Sequence, residues 1–226
     1  MVIQINLTSS VSSLVEKYLT GSKLVAQLSI INSKDDKTIL MDQIKPLLLD
    51  CYPQYPSMGP KDLSGKAGVV TISKEDSEVI ACAVVNDQSK AKEVWFEMRM
   101  ESVSSKLRRK GLGSILIMCV EASLSHIASI HQRSKGKFAD SKEFSLKCFV
   151  DNNKEATEAH VQFVTFNGFK TNFDISYHRP LFLELEFKKI VARKEIESIY
   201  PKKEEKKEKK GEEEEVESPS FSLLFD

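Results

Sequence analysis

The chain has 226 residues, 41% of them hydrophobic, with 33 Lys and Arg against 33 Asp and Glu and a formal net charge of +0. That suffices for one domain of ordinary size with appendages, and the balanced charge leaves direct nucleic-acid binding only to a locally basic segment. No apolar run is long enough to cross a bilayer, and no basic flank precedes a short apolar core at the N-terminus, so a cytosolic or nuclear protein is expected.

Taken in chain order, Ser12 to Leu19 reads as a short helix and Leu24 to Ile31 as a strand, with Asn32 to Asp36 as the turn after it. Thr38 to Cys51 carries Leu40, Ile44, Leu47 and Leu48 at helical spacing, and Pro46 marks a kink or an early turn. Tyr52 to Pro60 holds two tyrosines and three prolines. It is read as a connector, with a stiff rim to a pocket as the alternative.

Gly68 to Ser73, Val79 to Val85 and Val94 to Val103 follow as strands with short polar links, which predicts an antiparallel meander. Lys106 to Ser114 is a basic, glycine-bearing turn, and the apolar run Ile115 to Ile130 makes a helix opening at Gly111. Glu143 to Val150 is a strand. Asp151 to Asn153 caps a helix to about Phe166, which Asn167-Gly168 ends in a left-handed C-cap. Pro180 precedes a final alternating strand, Leu181 to Phe187. This order predicts an α/β fold with helices flanking a mixed sheet and a parallel pair around at least the first crossover helix. The folded domain is expected over 1–190, its first part an N-terminal extension.

From 191 to 226 a charged tail is expected, opening with a helix at Val191 to Ile199. Lys202 to Glu217 is nearly all Lys and Glu and cannot bury enough apolar surface to order itself. The alternative is a docking tail, with Phe221 to Phe225 as an apolar anchor. Cys51, Cys82, Cys119 and Cys148 lie far apart in or beside apolar runs. They read as packed free thiols of a reducing compartment, with neither metal-ligand spacing nor a disulfide framework.

The turn carries the most chemistry. Gly111 and Gly113 remove Cβ atoms that would hold a ligand off the backbone, and the first amides of the following helix lack intrahelical partners. Arg108, Arg109 and Lys110 add mobile positive charge, so the turn reads as a seat for phosphate. A second cluster lies in the strand before it. Strict alternation puts Glu97, Arg99 and Glu101 on one face and Phe96, Met98 and Met100 on the other. Glu97, among apolar and aromatic neighbours, is the candidate general base, against a plain reading of Arg99 set between two carboxylates on a solvent-facing edge.

With Arg108-x-x-Gly111-x-Gly113 as its signature, the stretch from about Thr38 to Phe187 resembles the GNAT superfamily of acetyl-CoA-dependent N-acetyltransferases. The resemblance implies a V-shaped splay between the strands bracketing the acetyl-CoA site, with turn residues Arg108, Arg109, Lys110, Gly111, Leu112, Gly113 and Ser114 around the CoA pyrophosphate. Phe96-Glu97-Met98-Arg99-Met100-Glu101-Ser102 ahead of the turn is most similar to the NatD-type acetyltransferases of histone N-termini. Phe144 to Asn152 and Gly59-Pro60-Lys61-Asp62 are similar to further NatD segments. Val103 to Ser105 is extra relative to that pattern, so the pantetheine-pairing residues are either Met98, Arg99 and Met100, which is favoured, or Glu101 to Val103. Asn152 and Asn153 both qualify as the CoA-facing asparagine. Where many members place a tyrosine as general acid, His160, Phe163 or Val164 would stand, depending on register.

The function so implied is acetyl transfer to a protein N-terminal α-amine, histone tails included. Its pKa of about 7.7–8.0, against about 10.4 for lysine, asks less of the base. Tyr52, Tyr55, Glu101 and Tyr177 are the candidates to line the acceptor cleft, and His178 next to Tyr177 reads as an exposed histidine. A lysine or small-amine acetyltransferase and a non-catalytic CoA-binding scaffold are the alternatives.

Overall fold

Along residues 67–74 and 79–87, Ala67, Val69, Cys82 and Val84 alternate with Val70, Ile72, Ala81, Ala83 and Val85, all buried. Strands apolar on both faces need cover on both. In the computed structural model helices pack on each side. The structure describes residues 2–5, 24–63, 67–74, 78–90, 93–130, 143–151, 154–171 and 184–192. Seven strands form one sheet in chain order: β1 (Val2–Ile5), β2 (Leu24–Ile30), β3 (Ala67–Lys74), β4 (Val79–Asp87), β5 (Trp95–Val103), β6 (Glu143–Asp151) and β7 (Glu184–Ala192). All neighbours are antiparallel except β5 and β6, which run parallel across the helical crossover. The predicted α/β class, meander and parallel pair are all present.

Helix α1 (Lys34–Cys51) covers one face, with Leu40, Met41, Ile44, Leu47 and Leu48 packed on Val69, Cys82 and Val84. It begins at Lys34 rather than Thr38. Ser33 accepts from the Asp36 amide at 3.1 Å while the Asp36 carboxylate accepts from the Ser33 amide at 3.0 Å, a capping box that converts the expected turn into a helix start. Pro46 lies inside this helix, which continues to Cys51. Helix α2 (Leu112–Ile130) covers the other face. It packs on β3, β4 and β5, while α3 (Lys154–Phe166) packs on β6, its Val164 joining the same core. Gly168, at φ 84, ends α3 as predicted, with the Phe169 amide on the Val164 carbonyl and the Gly168 amide on that of Thr165.

Three expectations change. Strand β1 was not anticipated, since four residues give too short a pattern. The last strand begins no later than Glu184 and runs to Ala192, so Val191 and Ala192 belong to it rather than to a helix, and it crosses the expected boundary at 190. Strict alternation fails in β5. Val84 lies opposite Arg99 and Cys82 opposite Ser102, so Ala83 faces two residues, Met100 and Glu101. This is a β-bulge, and Met100 takes the left-handed φ of 54. Phe96 and Met98 pack in the α2 core and Met100 on the α1 core, so Met98 and Met100 do not share a face. The predicted helix at Ser12 to Leu19, residues 193–199 of the C-terminal helix and the charged tail lie outside the described residues.

Candidate active site

The sheet opens where β5 and β6 part. Their parallel ladder pairs Trp95 with Ser145 through to Met98 with Cys148 and goes no further, although β6 stays paired with β7 to Asp151. Beyond Met98 the β6-facing edge of β5 has no ladder partner among the described residues. Met98 itself sits inside the closed part of the ladder, whereas Arg99 to Val103 lie in the opening. Of the two segments considered for pairing an extended ligand, Glu101 to Val103 is wholly in the splay and Met98 to Met100 only in part. The bulge at Met100 and Glu101 follows just past the last ladder pair.

Several side chains hold that edge. The Tyr52 hydroxyl donates to the Glu101 carbonyl oxygen at 2.8 Å, the Cys51 thiol to that of Val103 at 3.4 Å and the Ser102 hydroxyl to that of Met100 at 3.2 Å. Burial, with the Glu101 charge second, drives the Tyr52 phenol far above its ordinary range, so it stays a donor. Tyr52 therefore braces the opening from the end of α1, while Tyr55, three residues on, is half exposed.

The two β5 carboxylates have different surroundings. Glu97 is buried, with Oε1 accepting from Arg99 Nε at 2.7 Å and Oε2 from Gln88 Nε2 at 3.2 Å. Across the strand is Asn86, whose buried Oδ1 has no partner among the described residues. Glu101 is the second residue of the bulge, and its Oε1 is 2.7 Å from His160 Nε2 on α3. Of the three residues eligible on that helix, His160 is therefore the one that reaches the splay. Phe163 instead rests beside the His160 ring, at 6.4 Å between centroids, and Val164 is fully buried.

The basic turn follows directly. Asp50, near the end of α1, accepts from the Ser105 amide at 2.8 Å and from its hydroxyl at 2.9 Å, so the turn starts from a fixed point. Those two hydrogen bonds hold the Asp50 carboxyl below the ordinary aspartate range. Arg108 donates from Nε to the Val103 carbonyl at 3.3 Å. Arg109 and Gly111 both adopt left-handed conformations, φ 63 and 80. The Gly111 carbonyl accepts the Ile115 amide at 3.1 Å, so the amides of Leu112, Gly113 and Ser114 have no intrahelical acceptor. Arg108 and Arg109 are exposed, Lys110 and Ser114 are half-buried, and Leu112 is buried and offers only its backbone.

The two glycines have different reasons. A Cβ at Gly111 would meet nothing within 4 Å, so that side of the turn is open. A Cβ at Gly113 would meet Phe163 at 2.7 Å. Gly113 thus also serves the packing of α3 on α2, a reason beside its reading as an approach for ligand.

Met98, Arg99, Met100, Glu101 and the residues of the turn are brought together along one strand and the loop that leaves it. Asn152, Asn153, Tyr177 and His178 lie outside the described residues. Among the described residues, no three His, Cys, Asp or Glu side chains come together to hold a metal ion, and no helix is long and apolar enough to cross a membrane. Sequence reasoning missed Asp50 and left His160 among alternatives. An acidic residue at the end of a helix signals nothing by itself, and the His160 contact depends on the bulge.

No family model matches the chain, and no curated protein matches it. Solved structures do resemble it. An acyl-CoA N-acyltransferase from Pseudomonas aeruginosa is 13% identical, with a TM-score of 0.47, over 74% of this chain and 99% of that one. An aminoglycoside 6'-acetyltransferase type Ii is 13% identical, with a TM-score of 0.47, over 72% of this chain and 95% of that one. ElaA from Escherichia coli is 14% identical, with a TM-score of 0.45, over 74% of this chain and 99% of that one.

Proposed function

We propose that the chain is an acetyl-CoA-dependent N-acetyltransferase whose acceptor is a protein N-terminal α-amine, a histone-like tail among the candidates. One observation carries this reading: the edge of β5 from Arg99 to Val103, without a ladder partner on the β6 side among the described residues, leads straight into the turn where Gly111, at φ 80 and open on its Cβ side, starts α2. An extended ligand arm with an anionic end suits such a track. Backbone groups of a strand edge pair the arm, while free helix amides and the exposed Arg108 and Arg109 meet the charge. The pyrophosphate of CoA would be held by Arg108 to Ser114 and its pantetheine by Glu101 to Val103. Acetyl-CoA supplies the activated acyl group.

The α-amine acceptor follows from the resemblance of the β5 segment to the NatD-type strand and from the carboxylate of Glu101 at the opening. Tyr52 and Tyr55 flank that opening in this reading. The four cysteines are free, as the reducing cytosol or nucleus would keep them.

Calorimetry with CoA and acetyl-CoA tests the cosubstrate. Mass spectrometry of peptides with free and blocked N-termini, beside lysine-bearing peptides and small amines, tests the acceptor. Acetylation that survives N-terminal blocking assigns the activity to lysine, and a protein that takes up no CoA refutes the reading altogether.

A further inference from the structure

Glu101 and His160 belong to opposite arms of the opening. Glu101 lies on β5 past the last ladder pair, and His160 lies on α3, the helix that follows β6. Their contact, Nε2 to Oε1 at 2.7 Å, bridges the gap between the arms. The Glu101 side chain is 8% exposed and that of His160 27%, so the carboxylate is covered while the imidazole reaches solvent. The contact also neighbours the turn, because Phe163, beside the His160 ring, lies over Gly113 in the first turn of α2. An imidazole thus sits between the strand edge and the anion seat, with its ring orientation set by a carboxylate.

We propose that His160 is the proton carrier of the acyl transfer and that Glu101 is its positioning residue. The inference rests on the N-acetyltransferase reading above. A carboxylate on Nε2 favours the tautomer with hydrogen on that nitrogen and leaves Nδ1 as the basic atom. The amine nitrogen bonds to the thioester carbonyl carbon and the C–S bond breaks. His160 takes the proton that the amine sheds, and the imidazolium so formed is matched by the Glu101 charge. The same proton then passes to the departing thiolate sulfur. A neutral amine and acetyl-CoA become an amide and CoA thiol, and His160 ends neutral.

This moves the proton-handling role away from Glu97, whose two oxygens are held by Arg99 and Gln88. Among the described residues, the titratable groups that feel the Glu101 charge include Tyr52, just past α1, Cys82 from β4 and Cys148 from β6. Burial first, and the Glu101 charge in addition, drives all three above their ordinary ranges, so they stay neutral beside it.

The test uses the full chain with His160→Gln, Glu101→Gln and Glu97→Gln. Its readouts are CoA binding by calorimetry, pH–rate profiles of acetyl transfer to a basic Ser-starting peptide with a free N-terminus, and the NMR signals of the imidazole nitrogens, which report the tautomer. His160→Gln is expected to bind CoA like the wild type, to lose about 10²–10⁴-fold in kcat and to lose one limb of the profile. Glu101→Gln is expected to bind CoA like the wild type, to lose a smaller part of kcat and to shift the imidazole nitrogen signals, because the ring loses the carboxylate that orients it.

Transfer that persists in His160→Gln with an unchanged profile overturns the proposal, as does loss of the limb in Glu97→Gln alone. Should His160→Gln fold poorly, the imidazole nitrogen signals decide, and signals that Glu101→Gln leaves unmoved overturn it. A wild type that binds no CoA removes the parent reading and this one with it. A wild type that binds and transfers while His160→Gln is indifferent removes only this one.

Discussion

A Cβ atom on Gly113 would stand 2.7 Å from the Phe163 ring, so the first turn of α2 and the middle of α3 are packed to the limit of what a bare backbone allows. Gly113→Ala must push the ring aside, at about 1–3 kcal/mol of overpacking. Phe163→Leu opens room at the same place, so the double variant is expected to be more stable than the sum of the two single losses. Denaturant melts of the four proteins measure the coupling, and strictly additive losses would show that the two residues do not meet.

Gly111 gives the opposite result. No atom lies within 4 Å of its Cβ position, but its φ of 80 is left-handed, so Gly111→Ala carries a backbone cost of about 1–2 kcal/mol without a clash. The new methyl group also stands on the open side of the turn. Gly111→Ala is therefore expected to weaken CoA binding about tenfold or more while the melting temperature falls by only a few degrees. Gly113→Ala should lose stability first. Calorimetry beside thermal melts separates the two, and equal effects on binding and stability at both positions would undo the distinction.

This difference shows what the sequence could carry. Two glycines in a basic turn announce an open backbone, and the apolar run after them announces a helix, so the turn, the meander and the parallel crossover were all readable from local pattern. The cause of Gly113 was not, because Phe163 lies 50 positions away in the chain. The bulge at Met100 hid the largest part of the site. Alternation assumes one residue per pleat, and a single extra residue sent Met98 and Met100 to different faces and carried Glu101 to His160. Ser33 and Asp36 carried a legible signal, a capping box, beneath what looked like a polar turn.

The cysteines make a simpler prediction. Burial raises the Cys119 thiol to about 12 and those of Cys82 and Cys148 higher, and none of the three is exposed. Cys51 is half-buried at the end of α1. Iodoacetamide should therefore label Cys51 first. Cys119 carries roughly 10³-fold less thiolate than an ordinary cysteine, even before access is counted, so its labelling should follow unfolding. Peptide mapping after a brief exposure reads the order, and early labelling of Cys82 or Cys148 in the folded protein would contradict their burial.

The tether from Asp50 to Ser105 gives the acid side of the stability profile. Both Ser105 bonds favour the ionised carboxyl, so the folded-state pKa lies below the ordinary 3.8 of an unfolded aspartate. The stabilisation is then fully present above the unfolded value and drains away as pH falls through 3.8 toward the folded value. Asp50→Ala removes it at every pH, and water competes at this exposed site, so the loss at neutral pH should stay at or below about 1 kcal/mol. The difference between wild type and variant should shrink as melts are taken from pH of about 7 down to about 3. A gap that widened on acidification would mean that Ser105 does not bind the charged form. Because Ser105 begins the segment that ends in Gly111, Asp50→Ala should also weaken CoA binding by a few fold, whereas Asp36→Ala, which frays only the far end of α1, should leave it unchanged.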